Sequence, residues 1–328
     1  MKTTKTIILV ATLALFLYQC KNSNEKEVPS PTSTVSKKTE TEPKRMDFSG
    51  NYVSDGYFQR NENYDWVAVS VKQGIDNIIL RVRSRADKKK PTCTLDLTAK
   101  KFNDTTYIAL LDQKPVKITF GENSINIATE RPEDGGILHF YCSGGATVAG
   151  QYKKIDEPLD SSQVDKTIFS QVLNLQGIGF NVSVKNTNGK KELTVLPFGL
   201  QETNTPETTE IHGRVSGVET EDLNSDGSPE ILVFVKNENG KKGTVIGYST
   251  NNRKSMSRIY FPPVEDNDKI NNGYEGHDEF SIIETYLAQR FPITGSNNIR
   301  QITYKLEDGE AMRRFEINQV SDFPNPNH

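Results

Sequence analysis

Nine consecutive residues, Asp222-Leu223-Asn224-Ser225-Asp226-Gly227-Ser228-Pro229-Glu230, put side-chain oxygens at positions 1, 3, 5 and 9 and glycine at position 6. A hard cation such as calcium takes an oxygen cage of this kind, so Asp222, Asn224, Asp226 and Glu230 are the candidate ligands. Position 12 is Val233, where an EF-hand carries a bidentate glutamate. Asp, Asn and Gly also build turns without metal, through Asx hydrogen bonds and positive φ. The metal-free turn is the simpler reading and calcium the alternative. A second cluster, Tyr274-Glu275-Gly276-His277-Asp278-Glu279, sets a histidine among carboxylates. Adjacent strand positions such as 277 and 278 face opposite ways, which favours a solvated loop over a convergent site. The four histidines lie outside any nucleophile motif, and G-x-S-x-G, P-loop and H-E-x-x-H patterns are absent. No catalytic residue is assigned.

The elements that must hold these residues read as strands. Val67, Val69 and Val71 alternate with polar or small neighbours at the two-residue period of a half-buried strand. Ile78 to Val82, Thr92 to Leu97, Tyr107 to Leu111, Val116 to Phe120, Ile125 to Ala128 and Leu138 to Cys142 read alike, each bounded by turn formers. Ser49-Gly50-Asn51-Tyr52 returns as Ala149-Gly150-Gln151-Tyr152, which predicts that the first and last strands pair and close a small barrel over 46–156. Over 160–328, Asn188-Gly189, Asn239-Gly240 and Asp308-Gly309 each separate two strand-like runs and predict hairpins of an antiparallel sandwich. Phe280 to Phe291 fits a helix through Phe280, Ile283 and Leu287, or a strand through alternate positions. The expected fold class is all-β: a small closed barrel followed by an antiparallel β-sandwich.

Lys2 and Lys5 precede an apolar run from Ile7 to Leu17, the charged and apolar parts of a secretory signal over 1–19. That run covers only about half of the ~30 Å hydrocarbon thickness as a helix. Leu17-Tyr18-Gln19-Cys20 resembles a relaxed bacterial lipobox, in which Cys20 takes a lipid such as palmitate and becomes the first mature residue. Tyr18 and Gln19 depart from the small residues of that motif, and an ordinary secretory signal is the alternative. Residues 20–45 are Ser, Thr, Pro, Lys and Glu with few large apolar side chains, the composition of a tether that cannot repay the entropy of ordering. The expected location is the bacterial cell envelope, anchored by lipid at the outer membrane and facing the periplasm or the surface.

Of the three cysteines in 328 residues, lipidation of Cys20 leaves Cys93 and Cys142, which can pair in an oxidising compartment. Two buried free thiols are the alternative. With 40 basic and 43 acidic residues the formal charge is −3, and no long basic run offers the footprint that phosphate backbones need. Nucleic acid is not an expected partner.

Val218 to Val235, Arg253-Lys254-Ser255-Met256-Ser257, Asn272 to Phe280, Gln289-Arg290-Phe291-Pro292 and Arg300 to Phe315 occur in an order similar to that of the bacterial periplasmic inhibitors of invertebrate-type lysozyme. The resemblance covers about a third of the chain. It implies a β-sandwich, no enzymatic activity, a lysozyme as protein partner, and the dimer pairing that members can adopt. In that family a Ser-Gly-x-Tyr loop enters the lysozyme cleft and meets its catalytic carboxylates. Here the matching hairpin carries Asn239 for the serine, Gly240 kept, then Lys241, and Lys242 for the tyrosine. Lysine ammonium groups can replace hydroxyls toward carboxylates; a solvated turn with a lost or changed target is the competing reading. Tyr274 and His277 are the supporting contacts. Two further functions stay open: a binding module whose barrel holds an apolar ligand or meets a surface partner, and a metal-dependent hydrolase built on Asp222, Asp226 and His277.

Overall fold

The computed structural model describes residues 46–326, and Cys20 with the expected signal and tether lies outside them. Eight antiparallel strands close a barrel: β1 (Gly50–Val53), β2 (Val67–Gln73), β3 (Asn77–Ser84), β4 (Thr94–Lys101), β5 (Thr106–Leu111), β6 (Lys114–Phe120), β7 (Ser124–Thr129) and β8 (Gly150–Ile155). The closing pair is β1 with β8, in the register Asn51↔Ile155 and Tyr52↔Lys154, as the repeated Gly-x-Tyr signature predicts. The two copies are alike in detail. Gly50 and Gly150 sit at φ 133° and 138°, a region that favours glycine. Tyr52 donates its hydroxyl to the Phe48 carbonyl at 3.0 Å, and Tyr152 donates to the Val148 carbonyl at 2.7 Å.

The barrel interior is filled. Val69, Leu80, Val82, Val116, Ile118 and Ile125 are fully buried in one cluster with Tyr107 and Phe120, so side chains occupy the space that an enclosed ligand would need. Trp66 packs outside that cluster, against Val53, Tyr57 and Ile155 and the connecting residues Leu159 and Val164.

The predicted strand from Leu138 to Cys142 is instead a single helical turn, α1 (Ile137–Phe140). Only Leu138 of its residues is buried, while His139 and Phe140 face outward. Asp134, held by Arg131 at 3.0 Å, ends the preceding turn. Cys142 is then bonded to Cys93. These local ties outweigh a weak five-residue alternation.

The rest of the chain forms three four-stranded antiparallel sheets. The first contains β9 (Thr167–Leu175), β10 (Ile178–Thr187), β11 (Lys190–Phe198) and β12 (Glu207–Ile211). The second contains β13 (Gly213–Glu221), β14 (Glu230–Asn237), β15 (Gly243–Asn251) and β16 (Ser255–Ile259). The third contains β17 (Glu279–Ile283), β18 (Tyr286–Pro292), β19 (Asn298–Glu307) and β20 (Arg314–Pro324). All three hairpin dipeptides fall between paired strands. The segment readable as helix or strand is the β17–β18 hairpin, turned at Glu284 with φ 55°.

The sandwich has a shared middle layer. Ile231, Val233 and Val235 of β14 pack toward the first sheet with Phe180 and Val195. Leu232 and Phe234, on the other face of the same strand, pack toward the third sheet with Leu287 and Tyr304. A strand covered on both faces is apolar without alternation, which accounts for the run from Ile231 to Val235. Opposite ends of β14 carry the two clusters with chemical potential.

Candidate functional site

At the C-terminal end of β14, Asn237 to Gly243 forms a short hairpin turn whose polar groups are satisfied from within. Gly240, at φ 72°, donates its N–H to the Asn237 carbonyl at 2.9 Å. The Asn237 and Asn239 side-chain oxygens accept from the N–H groups of Lys242 and Lys241 at 3.1 and 3.0 Å. Such Asx contacts hold a turn without help from a ligand.

This turn sits on the segment from Tyr274 to Asp278. The His277 N–H donates to the Lys241 carbonyl. Gly276, at φ 92°, passes so close that a side chain there would reach 2.7 Å from the same carbonyl oxygen. Beneath them Asp278, with no solvent exposure, accepts from the Gly243 N–H at 2.7 Å, the Tyr274 hydroxyl at 2.8 Å and the Gln289 amide at 2.6 Å. Gln289 in turn accepts from the Tyr304 hydroxyl at 2.7 Å. Burial, and then the neighbouring Asp278, pushes the Tyr274 phenol above its ordinary range. Six residues named from sequence, Asn239, Gly240, Lys241, Lys242, Tyr274 and His277, thus converge on one end of the sandwich.

The two lysines differ. Lys242 pairs with Glu265 at 2.8 Å, and its ammonium lies 5.8 Å from the Tyr274 ring centre. Lys241 has no carboxylate partner among the described residues, and its side chain is exposed. Behind the hairpin a cavity of about 450 Å³ is lined by Lys242, Glu265, Tyr274, Phe261 and His212. Sequence reasoning missed Asp278, read only as part of a solvated loop, and also Glu265 and Gln289. His277 is exposed and Asp278 buried, as alternation at adjacent positions requires, but the segment is irregular, with His277 at φ 64°.

At the other end of β14 the Asp222 loop is closed on itself. The Asp222 carboxyl accepts from the N–H groups of Asp226 and Gly227 at 3.0 and 2.9 Å, and Asp226 accepts from the Ser228 N–H at 2.8 Å. Arg313 places its guanidinium 2.7 Å from Asp226 and 3.2 Å from Glu230. Asn224 turns its amide to Asp226 at 3.0 Å. Among the described residues no group of three or more His, Cys, Asp or Glu side chains is placed to hold a metal ion. The hydrolase trio is not brought together. Asp222 and Asp226 precede β14, whereas His277 contacts the turn that follows it, roughly 20 Å away at ~3.3 Å per residue.

Glu230 is buried with its carboxyl accepting from Ser249 at 2.6 Å and from the Leu223 N–H at 2.9 Å. Burial pushes it up to about 7, against those donors and Arg313. A carboxyl whose folded value is raised contributes stability below its unfolded value, and that contribution disappears as pH rises through 7. The predicted loss between pH 4.5 and 8 is on the order of 3 kcal/mol. Urea unfolding at several pH values should show it, and Glu230→Gln should flatten that slope; an unchanged slope in the variant would place the effect elsewhere.

No protein-family profile and no curated protein matches the chain. Among solved structures, an endo-1,4-beta-xylanase from Bacteroides thetaiotaomicron aligns over 83% of this chain and 94% of its own, at 12% identity and a TM-score of 0.28. Similarity at that level carries no inference about fold or activity.

Proposed function

We propose that the protein is a cell-envelope lipoprotein, anchored through Cys20, that binds a lysozyme of the invertebrate type and blocks its cleft with the Asn239–Lys242 hairpin. The observation that carries this reading is the rigid seat of the hairpin. Its base is tied to Asp278 and its tip to the His277 backbone, while the Lys241 ammonium has no partner among the described residues. A preorganised loop loses little entropy on binding. An unpaired ammonium offers a charge-assisted hydrogen bond to the carboxylates of a glycosidase cleft. Lys242, already paired with Glu265, braces the loop and leaves the contact to Lys241.

The test is Lys241→Glu in a cell-wall lysis assay. Reversing a charge at a closed contact is predicted to weaken inhibition roughly a hundredfold, about 3 kcal/mol, with an unchanged melting temperature. Equal potency of the variant would remove the hairpin from the interface. The Cys93–Cys142 disulfide fits an oxidising compartment and supports the envelope location.

A further inference from the structure

Two of the three most exposed large apolar side chains among the described residues sit together at one end of the barrel. Ile75, 78% exposed, tips the β2–β3 turn, and Phe102, 68% exposed, begins the β4–β5 turn. The turns are neighbours: Asn77 pairs with Lys100, and the Lys101 N–H donates to the Asp76 carbonyl at 2.9 Å. The Gln73 side chain ties the incoming chain to the same place, accepting from the Phe48 N–H at 2.6 Å and donating to the Met46 carbonyl at 3.1 Å. Met46 is half exposed there, whereas Phe48 turns inward and stacks on Phe120 with ring centres 4.2 Å apart.

Polar contacts close both turns. The Gly74 N–H donates to the Asn77 carbonyl at 2.8 Å, and the Asn103 side-chain oxygen accepts from the Thr105 N–H at 3.0 Å. These contacts leave the Ile75 and Phe102 side chains in the open. Turn tips ordinarily carry polar residues. Single exposed apolar residues need no explanation, but a group on adjoining segments, edged by polar residues, marks an interaction surface.

The occupant follows from where the chain enters. Met46 is the first described residue, and Cys20 lies 26 residues before it. Even fully extended, a link of that length spans at most about 90 Å. A lipid on Cys20 therefore makes the meeting of this rim with the bilayer intramolecular, and a contact too weak to hold a free protein is sufficient. The three segments carry Lys72, Lys100 and Lys101 against Asp47, Asp76 and Asp104, a balance that gives anionic headgroups no advantage.

We propose that this end of the barrel docks on a zwitterionic lipid surface, with Ile75 and Phe102 inserted below the headgroups and Met46 beside them. The proposal rests on the envelope-lipoprotein reading and adds an orientation to it: anchor and contact share one end of the barrel. Shallow insertion of apolar side chains is the driving term, as for other proteins that lie on a bilayer without crossing it.

The test couples the chain from Cys20 onward, with Cys93–Cys142 oxidised, through the Cys20 thiol to maleimide lipid in phosphatidylcholine vesicles. Trp66, the one native tryptophan, is 1% exposed and gives a constant background. Phe102→Trp reports the rim. Phe58→Trp reports the other end of β1, where exposed Phe58 lies in the 3₁₀ turn Asp55–Glu62. Lipid brominated in its acyl chains should quench the added emission of Phe102→Trp about twofold or more and leave that of Phe58→Trp unchanged. Adding Ile75→Asp should abolish the quenching without shifting the melting temperature, because that side chain is exposed. No quenching at position 102, equal quenching at 58 and 102, quenching that survives Ile75→Asp, or quenching that requires anionic lipid would overturn the proposal. So would dimerisation of the uncoupled chain that Ile75→Asp abolishes, since the rim would then serve a second copy. The coupling itself supplies the anchor, so these outcomes concern the docking face alone; mass spectrometry of Cys20 in protein taken from cells tests the anchoring separately.

Discussion

Asp278→Ala is expected to destabilise the fold by about 3 to 5 kcal/mol and to release the hairpin from its seat. Three donors lose their acceptor at once: the Gly243 N–H, the Tyr274 hydroxyl and the Gln289 amide. Each buried group left unpaired costs about 1 to 3 kcal/mol, and the three share one network, so their costs do not simply add. Refilling by water is disfavoured because Asp278 itself has no solvent exposure. Urea unfolding gives the stability loss, and amide exchange at Lys242 and Gly243 reports the hairpin. Tyr274 supplies a third readout. With the neighbouring Asp278 removed, its phenol should titrate closer to the ordinary range, visible in the ultraviolet. A loss below about 1 kcal/mol with unaltered exchange would show that the hairpin is seated by something else.

Removing the disulfide is the second large effect. Cys93 and Cys142 are 49 residues apart in sequence, and opening a loop of that length costs about 4 kcal/mol on the chain-entropy view. The double variant Cys93→Ala with Cys142→Ala should therefore unfold at markedly lower urea. Its barrel should keep the β1–β8 closure, because that pairing rests on backbone ladders and on the Tyr52 and Tyr152 contacts. The α1 turn, joined to the Cys93 strand through the Thr94 N–H and Tyr141 carbonyl at 3.1 Å, should exchange fastest. A stability change under about 1 kcal/mol would mean that the unfolded chain is already held near that loop closure.

Barrel closure was legible because it repeats: Gly50-Asn51-Tyr52 and Gly150-Gln151-Tyr152 do the same backbone and hydroxyl work in two strands that meet. The hairpins were legible because Asn-Gly and Asp-Gly are turn chemistry. The cysteine pair was legible from count and compartment, although the strand expected over Leu138 to Cys142 is a helical turn as far as Phe140, with Cys142 beyond it in an isolated antiparallel bridge to Cys93. The third layer of the sandwich was not read, although the unbroken apolar run from Ile231 to Val235 signals a strand buried on both faces. Asp278 and Arg313 were invisible for a different reason. Each acts on a segment remote in sequence, Asp278 on Gly243, Arg313 on Asp226 and Glu230. Only the stacking of the second and third sheets brings those partners together. The tip residues from 239 to 242 and their expected supporting contacts Tyr274 and His277 are likewise remote in sequence, and the fold supplies the contact between the two segments.

The measurement that bears most directly on the proposed function is a titration of the soluble chain, lacking its first 20 residues, into lysis assays with invertebrate-, chicken- and goose-type lysozymes side by side. Selective, stoichiometric loss of the invertebrate-type activity, relieved by Lys241→Glu, is the expected result. Absence of inhibition with all three enzymes would contradict it and leave the seated hairpin as an ordinary structural turn.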